Sequence, residues 1–353
     1  MKYFSTFSGI GGFELGIEKA CPGAICVGYS EIDKYADAIY KYHFKEAKNY
    51  GDITKINGGE LPDFDLLVGG FPCQAFSIAG KRRGFEDTRG TLFFDLARIL
   101  QAKRPRLFIF ENVKGLLNHD GGKTFRTILT AIDELGYDCQ WQVLNSKNFG
   151  VPQNRERVII VGNLRGTPRP KVFPIGIDEA KTSGRIKQIV GGSQGNRIYD
   201  PSGTSVTLAS QAGGLGAKTG LYAVPVLTPD RTNKRQNGRR FKEPGEPSFT
   251  LTAQDKQGVM CSATAFREIK AYPWSPILTA SNYKHPIAVL DGINIRKLTP
   301  IECEKLQGFP GNWTKYGVMD GKVVDMSDSR RYKALGNAVT TNVIEAITLG
   351  IMV

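Results

Sequence analysis

Over the first half of the chain, short apolar runs alternate with longer segments whose apolar positions recur at helical spacing. Residues 3–6, 25–29, 65–68, 107–110, 139–144 and 158–161 are brief, β-branched or aromatic, and predict strands. Residues 13–20, 35–42, 92–101 and 124–135 lie between them and predict helices. That order predicts an α/β fold, a mostly parallel sheet with helices on both faces. The pattern stops near Pro168-Arg169-Pro170. From about residue 181 to 286 the chain is rich in Gly, Ser, Thr, Asn and Gln, with short strand signals and no long helix, which predicts a loop-rich β unit. Residues 299–307 and 342–352 read as helices again, the last apolar enough to pack back on the first unit. The expected division is a large domain of 1–180 plus 325–353 and a smaller one, with its hinge, of 181–324.

Charge sharpens that division. The chain of 353 residues carries a net charge of +13. Between Lys181 and Val324 there are 20 Lys and Arg against 10 Asp and Glu, so most of the excess lies in the smaller unit. A segment of this kind suits a polyanion, because each phosphate contact releases counterions. No apolar run approaches the ~20 residues of a membrane helix. The first residues, Met1-Lys2-Tyr3-Phe4-Ser5-Thr6-Phe7, lack the apolar core of a secretory signal, so a cytoplasmic location is expected. The six cysteines are scattered and only three histidines exist, so no zinc spacing is completed and no metal is expected.

A weak repeat marks the basic segment. Arg197 stands ten residues before Thr207-Leu208, and Arg240 ten residues before Thr250-Leu251. A fainter third copy is Ser275-Pro276-Ile277-Leu278-Thr279-Ala280.

Chemistry is carried by the strand ends of the first unit. Phe7-Ser8-Gly9-Ile10-Gly11-Gly12 follows the first strand and opens a helix, where glycines let the backbone approach a ligand closely. Glu31, ending the second strand, is placed for ribose hydroxyls, and Asp52, beside Ile53, for an adenine amino group. These residues point to a nucleoside cofactor and leave NAD and S-adenosylmethionine both open. Gly70-Phe71-Pro72-Cys73-Gln74 follows the third strand, which puts a thiol at the carboxyl end of the sheet, where ligands of open α/β folds bind. A thiol so placed is a nucleophile rather than packing. Glu111-Asn112-Val113 ends another strand, and Gln153-Asn154-Arg155-Glu156-Arg157 begins a further one, with Arg155 and Arg157 expected to point the same way.

These motifs, in this order, resemble the bacterial and phage DNA cytosine-C5 methyltransferases over nearly the whole chain. Arg296-Lys297-Leu298-Thr299-Pro300-Ile301-Glu302-Cys303, then Gly308-Phe309-Pro310, and Leu335-Gly336-Asn337-Ala338-Val339 complete the set. The similarity is greatest to the type that methylates GCGC. It extends into the basic segment at Gln194-Gly195-Asn196-Arg197 and Ala217-Lys218-Thr219-Gly220. The resemblance implies a Rossmann-like S-adenosylmethionine-dependent catalytic domain beside a target-recognition domain. It also implies a monomer acting on double-stranded DNA, with any cognate restriction endonuclease a separate protein.

Residue by residue, the resemblance implies that Cys73 attacks cytosine C6, Glu111 bonds ring N3, Arg155 holds the cytosine carbonyl and Arg157 supports it or the Cys73 loop. Phe7, Gly9, Gly11, Gly12, Glu31, Ile32, Asp52, Ile53, Gly70, Pro72, Leu92, Asn337 and Ala338 would surround S-adenosylmethionine. The target base must be flipped out of the duplex, with Gln194 filling its place and a loop bearing Lys81, Arg82 and Arg89 closing over the site. Arg197, Thr207, Gln211, Arg239, Arg240, Thr250 and Gln254 are the expected DNA contacts. Two departures stand out. Ala79 occupies the place of a serine in the GCGC type, and the second Thr-Leu module has no counterpart there, so the target sequence does not carry over. An RNA cytosine methyltransferase of the same fold is the rival reading. A DNA-binding regulator without activity would lack the thiol, the carboxyl or the cofactor loop. A nicotinamide dehydrogenase accounts for the glycine loop alone.

Overall fold

The computed structural model describes residues 1–72, 92–175, 188–190, 198–199, 205–207, 221–227, 257–258, 293–296 and 298–352. Six strands form the central sheet: β1 (Lys2–Thr6), β2 (Ile25–Ser30), β3 (Leu66–Gly70), β4 (Leu107–Val113), β5 (Tyr137–Asn145) and, after the two-residue β6 (Gln153–Asn154), β7 (Glu156–Leu164). Their spatial order is β2-β1-β3-β4-β7-β5. The first four are mutually parallel, as expected, but β7 runs antiparallel to both β4 and β5. This reversal brings the start of β7 to the edge where β3 and β4 end.

Alternation along the strands explains why helices cover both faces. Phe4, Leu67, Phe108 and Ile160 point to one side, against Leu96 and Leu100 of α3 (Leu92–Lys103) and Ile128 and Ile132 of α4 (Lys123–Glu134). Tyr3, Leu66, Val68, Ile109 and Ile159 point to the other, against Phe13 and Ile17 of α1 (Gly12–Ala20) and Ile344 and Ile347 of the last helix (Thr341–Met352). Gly16 permits the close approach of those two helices, since a Cβ there would meet Ile344 at 2.6 Å. Each fully buried aliphatic or aromatic side chain contributes roughly 1.5–3 kcal/mol relative to exposure.

A third cluster joins α2 (Lys34–His43), capped by the Asp33 carboxylate, to the C-terminal part of the chain. There Ile39 packs with Cys303 and Leu306 of α5 (Pro300–Leu306), Phe309, Met326, and Tyr332 and Leu335 of α6 (Asp328–Asn337). Thr299 and Glu302 form a capping box that starts α5, with Pro300 at its first turn. From Pro300 onward the chain thus packs on α2 through this cluster. Within the basic segment β8 (Gln188–Val190), β9 (Ile198–Tyr199), β11 (Leu221–Leu227), β12 (Gln257–Gly258) and β13 (Ile293–Arg296) build a second, small sheet. Its neighbour β10 (Ser205–Val206) pairs instead with β6. The hairpin β14 (Tyr316–Met319) and β15 (Lys322–Asp325) packs on α2. Residues 328–352 contain an 18-residue window apolar enough by composition to span a membrane, but they form two helices, α6 and α7 (Thr341–Met352), and 56% of that window is buried in the fold.

Candidate active site

The turn after β1 is shaped by backbone geometry. Phe7, Gly9 and Gly11 have φ of 52°, 57° and 85°, a region that only glycine enters freely. The three glycines serve different ends. A Cβ at Gly11 would strike the Phe44 ring at 2.2 Å, and one at Gly12 the Val339 side chain at 2.8 Å, so these two allow packing. A Cβ at Gly9 would meet nothing within 4 Å, which leaves space above the loop for a ligand.

Glu31 ties this loop to the start of α2. Its Oε2 accepts from Gly9 N at 2.8 Å, and its Oε1 from Ile32 N at 2.8 Å and Asp33 N at 2.7 Å. Burial holds the carboxyl above its usual range in spite of these three donors. A carboxylate has about four acceptor positions, so one remains on Oε2 for a hydroxyl. Asp52 uses Oδ1 to accept from the Thr54 amide and hydroxyl, which lowers its proton affinity below that of an ordinary aspartate.

The other half of the site is set by sheet register. Gly70 pairs with Glu111 across β3 and β4, and Val113 pairs with Arg157 across β4 and β7. Glu111 and Arg157 therefore face each other diagonally, and Arg157 Nε lies 2.9 Å from Glu111 Oε1 in a mostly buried ion pair. Asn112 Nδ2 donates to the Phe71 carbonyl at 2.9 Å and fastens the segment leading to Cys73 onto β4. Arg155 falls in the break between β6 and β7, where its own N–H donates to the Gln153 carbonyl at 3.1 Å. Strand alternation is lost there, and the two arginines diverge. The Arg155 guanidinium donates to the Ala338 carbonyl at 2.9 Å and to the Gly336 carbonyl at 3.4 Å. Burial, with the neighbouring Arg157, pushes Arg155 down to about 9, against the attraction of Glu111.

Both halves open into one cleft of about 380 Å³. Of the residues expected at the site, Phe7, Gly9, Glu31, Gly70, Pro72, Glu111, Arg155, Arg157 and Asn337 line it. Ile32 is 75% exposed beside it, whereas Ile53 and Ala338 are buried in the core and Leu92 packs partly against it. Cys73, Lys81, Arg82, Arg89, Gln194, Arg197, Gln211, Arg239, Arg240, Thr250 and Gln254 lie outside the described residues. Thr207, expected at the DNA, donates its hydroxyl to the Asn154 carbonyl at 2.5 Å.

The structure adds residues that the motifs do not mark. Lys333 Nζ meets Asp33 Oδ2 at 2.6 Å, and the Arg330 guanidinium lies 3.7 Å from the centre of the Tyr35 ring. All four line the cleft and join α6 to α2 across it. Only their neighbourhood to Glu31 and Asn337 in sequence hinted at this.

Beneath the glycine loop, Glu14 is fully buried, and the Tyr40 hydroxyl donates to its Oε1 at 3.0 Å. Burial lifts its carboxyl to about 7, against hydrogen bonds from Ser5, its own backbone and Tyr40. An exposed glutamate of the unfolded chain loses its proton near ~4.3. The folded state is therefore the better proton binder, and stability present below that value is lost as pH rises through about 7. The loss is on the order of 3 kcal/mol. Glu14→Gln is expected to flatten the fall in melting temperature between pH 5 and pH 8. Parallel pH profiles for the two proteins would show that Glu14 does not titrate.

The sequence profile described as C-5 cytosine-specific DNA methylase matches residues 1–352. The Type II methyltransferase M.HhaI of Haemophilus parahaemolyticus is 33% identical, over 99% of this chain and 94% of its own length. The Type II methyltransferase M1.ScrFI of Lactococcus lactis subsp. cremoris is 37% identical, over 98% and 76%. The orphan methyltransferase M.SPRI of Bacillus phage SPR is 33% identical, over 98% and 96%. Among solved structures, the Entamoeba histolytica methyltransferase EhMeth shares the fold, with a TM-score of 0.59 at 17% identity, covering 100% of this chain and 98% of its own. The chain belongs to the C-5 cytosine-specific DNA methylase family and is a DNA (cytosine-5-)-methyltransferase.

Proposed function

We propose that the protein transfers a methyl group from S-adenosylmethionine to C5 of a cytosine flipped out of a specific duplex sequence, through an adduct of Cys73 with C6. The observation that carries this is the convergence of Pro72, Glu111 and Arg157 on the same cleft as Phe7, Gly9 and Glu31. A thiol next in sequence to Pro72 and a carboxyl–guanidinium pair suit a pyrimidine, and the glycine loop suits a nucleoside cofactor.

The residues fit S-adenosylmethionine. The remaining acceptor position of Glu31 suits a ribose hydroxyl, Asp52 an adenine amino group, and the exposed Ile32 side chain an adenine face. The space over Gly9 admits the rest of the molecule close to the backbone. When bound, the cofactor supplies an electrophilic methyl group.

The chain's own residues must make C5 nucleophilic. The Cys73 thiolate adds its electron pair to C6, which breaks the aromatic ring and pushes electrons toward C5 and N3. Cytosine N3 is an acceptor, so Glu111 meets it as an acid, bringing a proton. The geometry favours Arg157 over Arg155 for the cytosine carbonyl. Arg157 stands beside Glu111 as O2 stands beside N3, while Arg155 gives its donors to the carbonyls of Gly336 and Ala338 and fixes the floor. Once C5 carries the methyl group, loss of the C5 proton to a base expels the Cys73 sulfur as thiolate, and return of the N3 proton to Glu111 restores the neutral aromatic ring.

These atoms are out of reach inside a duplex, which is why the base must be flipped. In this reading Gln194 fills the gap, Lys81, Arg82 and Arg89 close over the site, and Arg197, Gln211, Arg239, Arg240, Thr250 and Gln254 of the target-recognition domain contact the DNA. The protein acts as a monomer in the cytoplasm, within or derived from a restriction-modification system. Supplied with S-adenosylmethionine carrying a tritiated methyl group, it is expected to label PCR-amplified duplex DNA as 5-methylcytosine, read by digestion to nucleosides. Label at an exocyclic amino group, or preferential labelling of tRNA, would overturn the reading. Bisulfite sequencing of the product then gives the flanking bases.

A further inference from the structure

The first Thr-Leu module of the basic segment touches β6, the two-residue strand that immediately precedes Arg155. β10 pairs in parallel with β6, Ser205 opposite Gln153 and Val206 opposite Asn154. Among the described residues this is the only strand pairing between the basic segment and the catalytic strands. Thr207, the next residue, donates its hydroxyl to the Asn154 carbonyl at 2.5 Å. That carbonyl belongs to the peptide that leads into Arg155.

The same peptide is held firmly from the opposite side. Asn145 Nδ2 donates to Asn154 Oδ1 at 2.7 Å, and Arg155 N donates to Asn145 Oδ1 at 3.2 Å. Gln153 Nε2 donates to the Leu306 carbonyl at 2.8 Å, and Ser146 N to the Arg155 carbonyl at 3.0 Å. Towards β5 and α5 this two-residue strand is therefore anchored independently of β10, while β10 and Thr207 supply its other edge. A rotation of the Asn154–Arg155 peptide would swing Arg155 away from the Gly336 and Ala338 carbonyls.

We infer that Thr207 is a positioning residue that couples the DNA-reading segment to the floor of the catalytic cleft, by holding the Asn154–Arg155 peptide in the orientation that seats Arg155 beneath the Glu111–Arg157 pair. This rests on the reading of Glu111 and Arg157 as the groups that engage the flipped cytosine. It gives the hydroxyl a role other than the DNA contact expected from the motif. A threonine hydroxyl committed to a main-chain carbonyl offers no proton to a phosphate or a base, although its lone pairs stay open. In such an arrangement, movement of the recognition segment on the DNA reaches Arg155 through one strand edge.

The test uses the full-length protein and PCR-amplified duplex DNA of mixed sequence, with enzyme in excess. Thr207→Val removes the hydroxyl and keeps the shape, and Thr207→Ser keeps the hydroxyl. The valine variant should lose about tenfold in the single-turnover rate of methyl transfer at saturating DNA, the scale of one net hydrogen bond of ~1.4 kcal/mol. Its dissociation constants for duplex and for S-adenosylmethionine should stay within about twofold of wild type, and the serine variant should recover the rate. A valine variant that keeps the saturating rate, or that loses only duplex affinity, would overturn the inference. Should valine unfold the protein, shown by a lost thermal transition, Thr207→Ala is measured in its place against the same two outcomes. An unmodified protein that makes no 5-methylcytosine would overturn the underlying reading and the coupling with it, a result distinct from an active wild type with an equally fast variant.

Discussion

Cys73→Ala is expected to abolish methyl transfer, with kcat falling by about 10⁴-fold or more, the scale of losing a covalent nucleophile. The reason lies in the substrate. Cytosine C5 is too weak a nucleophile to accept a methyl group unless C6 is first attacked, so no other group in the cleft replaces the thiol. Glu111 and Arg157 stabilise charge that develops only after the attack, and without it they have nothing to stabilise. Cofactor affinity should stay within a few fold of wild type, because Phe7, Gly9 and Glu31 occupy the other half of the cleft. A second readout isolates the covalent step. Duplex DNA with 5-fluorocytosine carries at C5 a fluorine that does not leave as a proton does, so the wild type should stay joined to it through denaturing electrophoresis. The alanine variant should run free. Methyl transfer by the alanine variant above a hundredth of the wild-type rate would remove Cys73 from the mechanism.

How much of this was legible in the sequence depended on whether local pattern or long-range geometry decided each feature. The six strands and the helices on both faces came from apolar runs that tertiary structure had no reason to override. The reversal of β7 was not legible, because an antiparallel strand has the same internal pattern as a parallel one. α6 was missed for a different reason. Its inward stripe contains Arg331, buried against Glu304 by an ion pair at 3.0 Å, so a charge stands where a hydrophobic residue would have revealed the period. Consequently Arg330 and Lys333, which close one side of the cleft, carry no signal beyond their nearness to Asn337 in sequence. The pairing of Glu111 with Arg157 was half legible. The motifs supplied both residues, but strand alternation suggested that Arg155 and Arg157 would share a direction. The break between Asn154 and Glu156 decides otherwise, and it is a feature of backbone hydrogen bonding rather than of residue type.

That pairing makes the remaining large prediction one of coupling. Glu111→Gln keeps a group of the same shape that still donates a hydrogen bond to N3 but no longer delivers a proton, so kcat should fall by about 10²–10⁴-fold with little change in duplex affinity. Arg157→Ala should lower kcat by about 10²–10³-fold through loss of the donor to the carbonyl. It should also destabilise the fold by on the order of 3 kcal/mol, because it strands the mostly buried Glu111 carboxylate without its partner. The double variant separates the two consequences. With glutamine at 111 no buried charge is left unpaired, so the melting temperature should recover most of what Arg157→Ala removed. If the pair engages one pyrimidine edge as a unit, the kcat of the double variant should lie near that of the worse single variant. Losses that multiply in full would mean that the carboxyl and the guanidinium act on different atoms at different steps, and the shared recognition of N3 and O2 would be wrong.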